Sequence, residues 1–309
     1  LGDNYTTYLD KDQTNMLNDT LAGEYQGIGI IIEGRKINEV LDNSPAKKAG
    51  LQIGDVITKV NDEDVTELDA SDIANKIKKS TKKNVSITID RDGEEKTIVM
   101  EISTLYVPAI SKKMIDNTSI GYLSLATFSS SVDKQVSEAL EYFDKNNAKS
   151  LIIDLRGNTG GFLSAAENVA SLFLKKDKII YSLKSKNDTK VVKDKTKEST
   201  DYKIIVLING NTASASEILA AALKDSYGAT LVGEKSFGKG KVQQTVNLKD
   251  GSMAKYTSAK WLTPKGDCID TVGLKPDYEV ELTIEKDSDG NITNIIDSQL
   301  NKAIEILNN

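Results

Sequence analysis

Residues 150–161 read SLIIDLRGNTGG, and their pattern indicates the fold class of the larger part of the chain. Its nearly unbroken apolar run ends in glycine and polar residues, and a helical pattern, FLSAAENVASLFLK (162–175), follows at once. The same order recurs in YKIIVLINGNTAS (202–214), which precedes SEILAAALKD (216–225). Strands that are apolar on both faces and alternate with helices are typical of βαβ units around a buried, at least partly parallel sheet. Both glycine-containing loops should therefore lie at the carboxyl edge of that sheet, where functional loops are found.

The composition excludes several classes of function. The chain has 309 residues, which suffices for about two domains, and no apolar run approaches the roughly 18 residues of a membrane-spanning helix. The net charge of −6 argues against nucleic-acid binding, which normally shows a basic excess. One cysteine, Cys268, and no histidine leave no zinc site, and no stretch has EF-hand spacing. We therefore expect no metal and no cofactor.

The first third of the chain, residues 24–103, combines short strand patterns with helical ones, which indicates a compact α+β module. We expect a strand in GIGIIIEG (27–34) and a helix in ASDIANKIKKS (70–80). The turn residues Asp92-Gly93, between two alternating runs, predict a tight hairpin. The helix residues that we expect on one apolar face are Ile73, Ala74 and Ile77.

Three further segments outside the βαβ repeats have recognisable patterns. Residues 184–201 are polar and charged without a clear period, as in an exposed loop or an edge hairpin. Residues 245–264 predict a hairpin with its turn at Asp250-Gly251. Residues 294–309 predict a terminal helix that docks on the core, with a helix that joins two copies of the chain as the alternative. The apolar residues at helical spacing in that segment are Ile295, Ile296, Leu300, Ala303, Ile304 and Leu307.

The segment from Gly233 to Lys239 satisfies the first part of a phosphate-binding loop, G-x-x-x-x-G-K. That motif continues with Ser or Thr, whose hydroxyl holds magnesium, and this chain has Gly240 instead. We therefore set an ATPase aside. A glycine-rich turn that carries Lys239 remains, either as a surface turn or as part of a site.

Ser214 has two interpretations. With Glu217 three residues later it forms a capping-box pattern at the start of a helix. A serine at a helix N-terminus also lies where unpaired N–H groups favour a developing negative charge, which suits a nucleophile. Because the chain lacks histidine, another base must take the proton of such a serine.

Lysine can replace histidine as the base, provided that its pKa is lowered by burial among apolar neighbours. Lys239, between two glycines and close to Phe237, could be buried in this way. Gln243 follows four residues later and could orient the lysine amine. The backbone N–H of Ala215 and that of Gly160 or Gly161 could form the oxyanion hole, although glycine there also fits a simple strand-to-helix turn.

Taken together, LIIDLRGNTGG, NGNTASASEILAAALKD and GEKSFGKGKVQQ resemble the C-terminal processing peptidases, also called tail-specific proteases. The resemblance places the nucleophile at Ser214, the lysine of a Ser/Lys dyad 25 residues later at Lys239, and a supporting glutamine at Gln243. Segments resembling the same family lie at both ends, in DNYTTYLD (3–10) and WLTPKGDCIDTVGLKPDYEV (261–280). The resemblance thus covers nearly the whole chain and implies a serine-type peptidase.

YQGIGI followed by SPAKKAGLQIGDVITKVNDEDV resembles the PDZ domain that this family carries. An extended peptide could add as a strand beside residues 28–32, with backbone amides receiving its terminal carboxylate. The family often has arginine where this chain has Lys78, and the lysines at 76–83 fit either a solvated helix end or contact with an anion. The peptide-binding candidates are Gly27, Ile28, Gly29, Ile30 and Lys78.

The resemblance and the residues together predict a PDZ domain at 24–103 attached to a βαβ-containing protease core at 104–309, a mixture of α+β and α/β folds. Residues 1–23 would be the truncated N-terminal segment of that core, and we expect the chain to be a trimmed part of a longer protein. The resemblance implies substrates with free, unstructured C-terminal tails. It also implies a bacterial, extracytoplasmic setting, in which the full-length parent is secreted or membrane-anchored and can form a homodimer. The alternative is a peptide-binding adaptor whose core is inactive in this form.

Overall fold

The computed structural model of the protein describes residues 3, 5–78, 80, 83–106, 108–197, 199–286 and 292–308. It divides the chain into two compact units, one of Leu1–Gly23 with Pro108–Asn309 and one of Glu24–Val107. None of the helices in the described ranges is long and apolar enough to cross a membrane.

The α-helices are, in chain order, α1 (Lys11–Ala22), α2 (Pro45–Ala49), α3 (Ala70–Lys78), α4 (Val132–Lys145), α5 (Leu163–Ser171), α6 (Ala215–Ala222) and α7 (Ser298–Asn308). The strands are β1 (Thr7–Leu9), β2 (Glu24–Gly27), β3 (Ile30–Glu33), β4 (Lys36–Val40), β5 (Val56–Val60), β6 (Glu63–Asp64), β7 (Asn84–Arg91), β8 (Glu94–Glu101), β9 (Ser103–Tyr106), β10 (Ile110–Met114), β11 (Ile120–Leu125), β12 (Ser150–Asp154), β13 (Ile179–Lys184), β14 (Thr189–Lys193), β15 (Lys203–Ile208), β16 (Thr230–Gly233), β17 (Lys241–Asn247), β18 (Met253–Leu262), β19 (Tyr278–Glu279), β20 (Thr283–Lys286) and β21 (Ile292–Ile296).

The smaller unit has the α+β architecture that its sequence predicts. Its main sheet has the order β3-β4-β5-β7-β8, with β6 beside β5, and β9 pairs with β2, so the unit extends beyond residue 103. The β7–β8 hairpin turns at Asp92 and Gly93, both with positive φ, as predicted. Two details differ: the predicted strand begins only at Ile30, and Ala74 of α3 is exposed while Ile73 and Ile77 are buried. Ala74 projects about 100° around the helix from Ile73, outside this narrow apolar stripe.

The larger unit is built on a sheet of order β10-β11-β12-β15-β16-β19, in which all neighbours except β10 and β11 are parallel. Side chains alternate between the two faces of a strand. Leu151 and Ile153 therefore pack in one core with α4, α5 and α6, whereas Ile152 packs on the opposite face with Ala303 of α7. Apolar residues on both faces explain the unbroken runs in the sequence and confirm the βαβ prediction.

A second sheet of the larger unit carries the predicted hairpins. β13 and β14 form an edge hairpin, but only its turn and β14 lie within 184–201, because β13 precedes that segment and ends at Lys184. β17 and β18 form the hairpin with its turn at Asp250-Gly251. β18 also pairs with β1 and β13 in the order β1-β18-β13-β14.

The terminal helix docks on the core, although it is shorter than predicted. Leu300, Ile304 and Leu307 pack on the same face of the main sheet as Ile152, opposite the core formed with α4, α5 and α6, which agrees with docking. Ile295 and Ile296 lie instead in β21, which pairs with β20. The helix starts after Asp297, whose Oδ1 accepts the N–H of Leu300 at 2.9 Å. An acidic cap at this position ends the strand and fixes the first turn.

A network of charges joins α7 to the carboxyl end of β12. The guanidinium of Arg156 donates to both carboxylate oxygens of Asp297, at 2.7 and 2.8 Å, and to Asp154 Oδ2 at 2.6 Å. It also donates to Gln299 Oε1 at 2.9 Å. Only the planar fork of arginine can serve two carboxylates and an amide in this geometry.

Replacing Arg156 with lysine should therefore destabilise the larger unit while keeping the charge. We expect Arg156→Lys to lower the free energy of unfolding by about 1–3 kcal/mol in urea, because the bidentate bonds are lost. The matched control is Lys145→Gln, which breaks an exposed ion pair with Glu141 and should cost less than about 0.5 kcal/mol. Equal effects of the two substitutions would contradict this role of Arg156.

Candidate active site

Ser214 occupies a strained turn between β15 and α6. Its φ of 57° and ψ of −117° are uncommon for any residue but glycine, and such a conformation costs on the order of 1–3 kcal/mol. The neighbouring Ala213 N–H donates to Asn158 O at 3.0 Å, and Thr212 Oγ1 donates to Leu155 O at 2.9 Å. These bonds tie the turn to the loop after β12, so the two glycine-containing loops meet as the sequence predicts.

The carboxylate of Glu217 holds the two candidate catalytic segments together. Oε2 accepts the backbone N–H of Ser214 at 2.8 Å and that of Lys239 at 2.9 Å. Oε1 accepts Ser236 Oγ at 2.6 Å and the Gly238 N–H at 2.7 Å. The capping box that the sequence predicts is thus present. The same carboxylate also anchors the lysine segment, a role that the sequence pattern did not predict.

Lys239 is half-buried, and its pKa is lowered from the ordinary lysine value. Burial is the largest cause, because it disfavours the charged amine, and the positive charge of Lys255 acts in the same direction. The negative charge of Glu217 opposes both effects. A lysine with a lowered pKa is a candidate general base.

Ser214 and Lys239 line one cleft of about 650 Å³. The structure records no hydrogen bond between Ser214 Oγ and Lys239 Nζ within the part of the chain that it describes. Nζ instead lies 5.2 Å from the centre of the Tyr5 ring. The apolar side chains that line the cleft include Leu17, Leu21, Phe162, Leu163, Ile218, Val242 and Trp261. Such walls suit an extended peptide and keep the amine away from bulk water.

Gln243 lines the same cleft but does not orient Lys239 in this structure. Its Nε2 donates to the backbone carbonyl of Lys241 at 3.2 Å. A bulge between Val242 and Gln243 shifts the register of β17 against β18. The role of Gln243 as the partner of Lys239 therefore stays a prediction.

The two glycines proposed for the oxyanion hole differ in their hydrogen bonds. The N–H of Gly160 donates to Asn158 Oδ1 at 2.9 Å. The N–H groups of Gly161 and Ala215 have no acceptor within the described ranges, and both residues line the cleft with Ser214. Gly161 has φ +149°, and a Cβ there would approach Phe128 O to 2.4 Å, so only glycine fits. The free N–H groups favour Gly161 and Ala215 over Gly160.

The peptide-binding candidates of the smaller unit lie around the start of β3. β3 is an edge strand of its sheet, and Ile28 and Gly29 lie just before it, after Gly27 at the end of β2. The carbonyls of Ile28 and Gly29 accept the N–H groups of Ala46 and Leu41, at 2.8 and 2.9 Å. Over the described ranges, the N–H groups of Ile28 and Gly29 have no acceptor. The structure also places Ile30 first in β3 and Lys78, which is exposed, last in α3.

Sequence reasoning missed three groups around Lys239. Tyr5 and Lys255 are distant in the sequence, and no local pattern connects them with the lysine. Trp261 donates its Nε1 hydrogen to Lys239 O at 2.9 Å, and its ring is buried. A buried tryptophan normally finds an acceptor for its N–H, which is the one signal that could have drawn attention to it.

A PDZ-type module together with an α/β core that places a serine, a lysine and free amides in one cleft defines a class of serine hydrolases. The chain belongs to peptidase family S41, whose model matches residues 119–280, more than half of the sequence. A PDZ domain model matches residues 36–91. The predicted fold class is thereby confirmed.

The chain is 34% identical over 287 residues to the "Probable CtpA-like serine protease" of Staphylococcus haemolyticus strain JCSC1435, and 34% identical to that of Staphylococcus aureus strain N315. In both cases 91% of this chain is aligned, and the chain spans 58% of the relative's length. Among solved structures it is similar to the photosystem II D1 C-terminal processing protease, with 26% identity and a TM-score of 0.54 over 90% of this chain and 78% of that one. These relatives favour a peptidase over an inactive adaptor.

Replacing Glu217 with glutamine should destabilise the site, because an amide offers one acceptor atom where the carboxylate offers two. Whichever way the amide turns, two of the four donors then face an NH₂ group. We expect Glu217→Gln to lower the free energy of unfolding by about 2–4 kcal/mol in urea. The control is Glu138→Gln, at an exposed position of α4, where the change should be within about 0.5 kcal/mol. A loss at Glu217 no larger than at Glu138 would show that the carboxylate is not needed.

Proposed function

We propose that this protein is a serine endopeptidase that binds unstructured C-terminal tails through its PDZ domain and cleaves the same polypeptide with a Ser214/Lys239 site. The observation that carries the proposal is one cleft that contains Ser214, a lysine with a lowered pKa and two unpaired backbone N–H groups. The whole protein's activity is inferred from a chain that spans 58% of the curated relatives it matches.

In the proposed mechanism, neutral Lys239 Nζ takes the proton of Ser214 Oγ as that oxygen attacks the scissile carbonyl. The N–H groups of Ala215 and Gly161 stabilise the resulting oxyanion, and the helix dipole of α6 acts in the same direction. The ammonium of Lys239 then returns the proton to the leaving amine as the C–N bond breaks. Water, activated by Lys239, hydrolyses the acyl-enzyme and releases Ser214.

The mechanism requires side-chain movement before the reaction. Ser214 Oγ and Lys239 Nζ must come within hydrogen-bond distance, which often happens only when substrate fills a site. As proposed, Gln243 orients the amine by accepting a hydrogen of Nζ at Oε1, which requires its side chain to turn from its present position, where Nε2 donates to the Lys241 carbonyl. Because Lys239 acts when neutral, its lowered pKa lets activity rise at a lower pH than an ordinary lysine would allow.

The PDZ domain would supply the tail specificity. The free N–H groups of Ile28 and Gly29 can receive a terminal carboxylate, while the open edge of β3 pairs with the tail. Lys78 would add positive charge nearby. By resemblance to the family we also propose that the protein is bacterial, acts outside the cytoplasm and can form a homodimer in its full-length parent.

Removing either partner of the dyad should abolish proteolysis without unfolding the protein. We expect Ser214→Ala and Lys239→Ala each to lower kcat/KM on an unfolded protein by about 10³-fold or more, with unchanged circular dichroism. Mass spectrometry of the products measures the cleavage. Ser137→Ala and Lys176→Ala, in α4 and on an exposed loop, serve as controls and should stay fully active. Full activity of either dyad variant would refute the mechanism.

The carboxylate of the tail should decide binding to the PDZ domain. With the Ser214→Ala protein, which cannot cleave, we expect a peptide with a free carboxylate to bind about tenfold or more tightly than its amide, because hydrogen bonds to a charged group are worth about 1.5–3 kcal/mol. Isothermal titration calorimetry measures both affinities. Lys78→Ala should weaken only the free acid, and Lys96→Ala should change neither peptide. Equal affinities for acid and amide would exclude recognition of the terminus.

A further inference from the structure

Tyr5, in the N-terminal segment formed by residue 3 and residues 5–9, lies directly beside Lys239, the candidate base. The Tyr5 ring has Lys239 Nζ 5.2 Å from its centre and Lys241 Nζ at 5.4 Å. Two lysines two residues apart thus share one aromatic ring. The mechanism proposed above uses only one of them and does not account for the ring.

Asp3 anchors this segment to the strands that carry the lysines. Its carboxylate accepts Thr257 Oγ1 at 2.6 Å, Thr6 Oγ1 at 2.7 Å and Lys241 Nζ at 2.9 Å. The hydrogen bonds from Thr257 and Thr6, followed by that from Lys241, hold the pKa of Asp3 well below its usual range. The carboxylate therefore stays ionised at every pH at which a lysine base would work, and it keeps its hold on Lys241.

The two lysines consequently have opposite surroundings. The bond to Asp3 raises the pKa of Lys241, so this amine remains charged. Lys239 has no ion-pair partner in the part of the chain that the structure describes, and Lys255 on β18 lies near enough to disfavour its charge. Glu217 faces Lys239 from α6, but its oxygens already accept hydrogen bonds from the backbone and from Ser236.

We propose that Tyr5 is a positioning residue that covers Nζ of Lys239 and excludes water from it, while Asp3 binds Lys241 so that only Lys239 is left to act as the base. This inference rests on the proposed function. It adds the N-terminal segment, which is remote in sequence from both Ser214 and Lys239, to the machinery of the site.

Two effects of the ring on the pKa of Lys239 oppose each other. A cation–π contact favours the ammonium by about 0.5–2 kcal/mol, which corresponds to roughly 0.4–1.5 pH units. Exclusion of water disfavours the ammonium, by up to about 3–5 units when burial is complete. Burial lowers the pKa of Lys239 overall, and we expect the Tyr5 ring, whose centre lies 5.2 Å from Nζ, to contribute more to that burial than its cation–π contact opposes. Loss of the cover should therefore raise the pKa of Lys239.

Substitutions at Tyr5 separate the two effects in the pH profile of kcat/KM on an unfolded protein. The acid limb of this profile is the rise of kcat/KM with pH as Lys239 loses its proton. Tyr5→Phe keeps the ring and should give the wild-type limb. Tyr5→Leu keeps an apolar cover without the ring, so its acid limb should stay in place or move to lower pH. Tyr5→Ala admits water and should move the acid limb up by about one pH unit, lowering activity about tenfold on that limb. The control is Tyr8→Ala, at an exposed position of β1 on the same segment, which should leave the limb in place.

A second measurement gives the pKa of Lys239 without catalysis. Labelling of its amine by acetic anhydride as a function of pH, followed by mass spectrometry of the Lys239 peptide, should show the same order of variants. If wild-type activity proves independent of Ser214 and Lys239, the proposed function fails. The labelling would still show whether Tyr5 excludes water from Nζ of Lys239, because it does not depend on catalysis. If Tyr5→Ala does not fold, Tyr5→Gln, with similar length and a polar end, replaces it.

The inference is overturned if the alanine variant loses activity equally at every pH and its Lys239 labels with the wild-type pH dependence. That result would show that Tyr5 contributes only to folding. It is also overturned if Tyr5→Leu raises the limb as much as Tyr5→Ala, because an apolar cover would then be insufficient. The inference is supported if only Tyr5→Ala moves the acid limb of kcat/KM to higher pH and the labelling of Lys239 shifts to higher pH in the same variant.

Discussion

The carboxylate of Glu217 is the interaction on which the candidate active site depends. It is fully buried, and a buried carboxylate costs several kcal/mol unless hydrogen bonds compensate for the lost water. Its four donors come from two segments: Ser214 before α6, and Ser236, Gly238 and Lys239 after β16. Neither segment can move away without leaving the carboxylate short of donors. The backbones of Ser214 and Lys239 are thus held by one side chain, although Ser214 Oγ and Lys239 Nζ are not hydrogen-bonded to each other.

The parallel sheet supplies the frame for this arrangement. β12 and β15 are parallel neighbours, so the loops that follow them meet at one edge. Asn158 fastens them, because its carbonyl accepts Ala213 N–H and Ser216 Oγ, while its side chain accepts the Gly160 N–H. That last bond occupies the N–H of Gly160, whereas the N–H of Gly161 has no acceptor among the described residues. The strain at Ser214 is maintained by bonds on both sides of it, as expected where backbone strain serves a site.

Local patterns predicted most of the fold, because strands buried on both faces, tight turns and amphipathic helices have short-range signatures. The features that these patterns did not predict also have physical reasons. Ile295 and Ile296 fit a helical spacing that Asp297 interrupts as the cap, and a pattern of apolar residues cannot detect this interruption. Resemblance to the family predicts Ser214 as the nucleophile and Lys239 as the base, but Tyr5 and Lys255, which lie near the lysine, come from other parts of the chain. The choice between Gly160 and Gly161 depended on a side-chain bond of Asn158, which no spacing could reveal.

In the proposed mechanism, the absence of histidine makes desolvation of Lys239 the central requirement. A histidine base, with an ordinary pKa of about 6.5, acts near neutral pH without a special environment. Lysine starts near 10.4, so a base that is neutral at pH 7 needs roughly 4–5 kcal/mol of bias against its ammonium. An ion-pair partner would work against that bias. In the proposed site Asp3 binds Lys241 and Glu217 accepts backbone N–H groups, while the charge of Lys255 adds to the bias. The apolar walls of the cleft therefore serve two purposes, because the surface that contacts a peptide also excludes water from the amine.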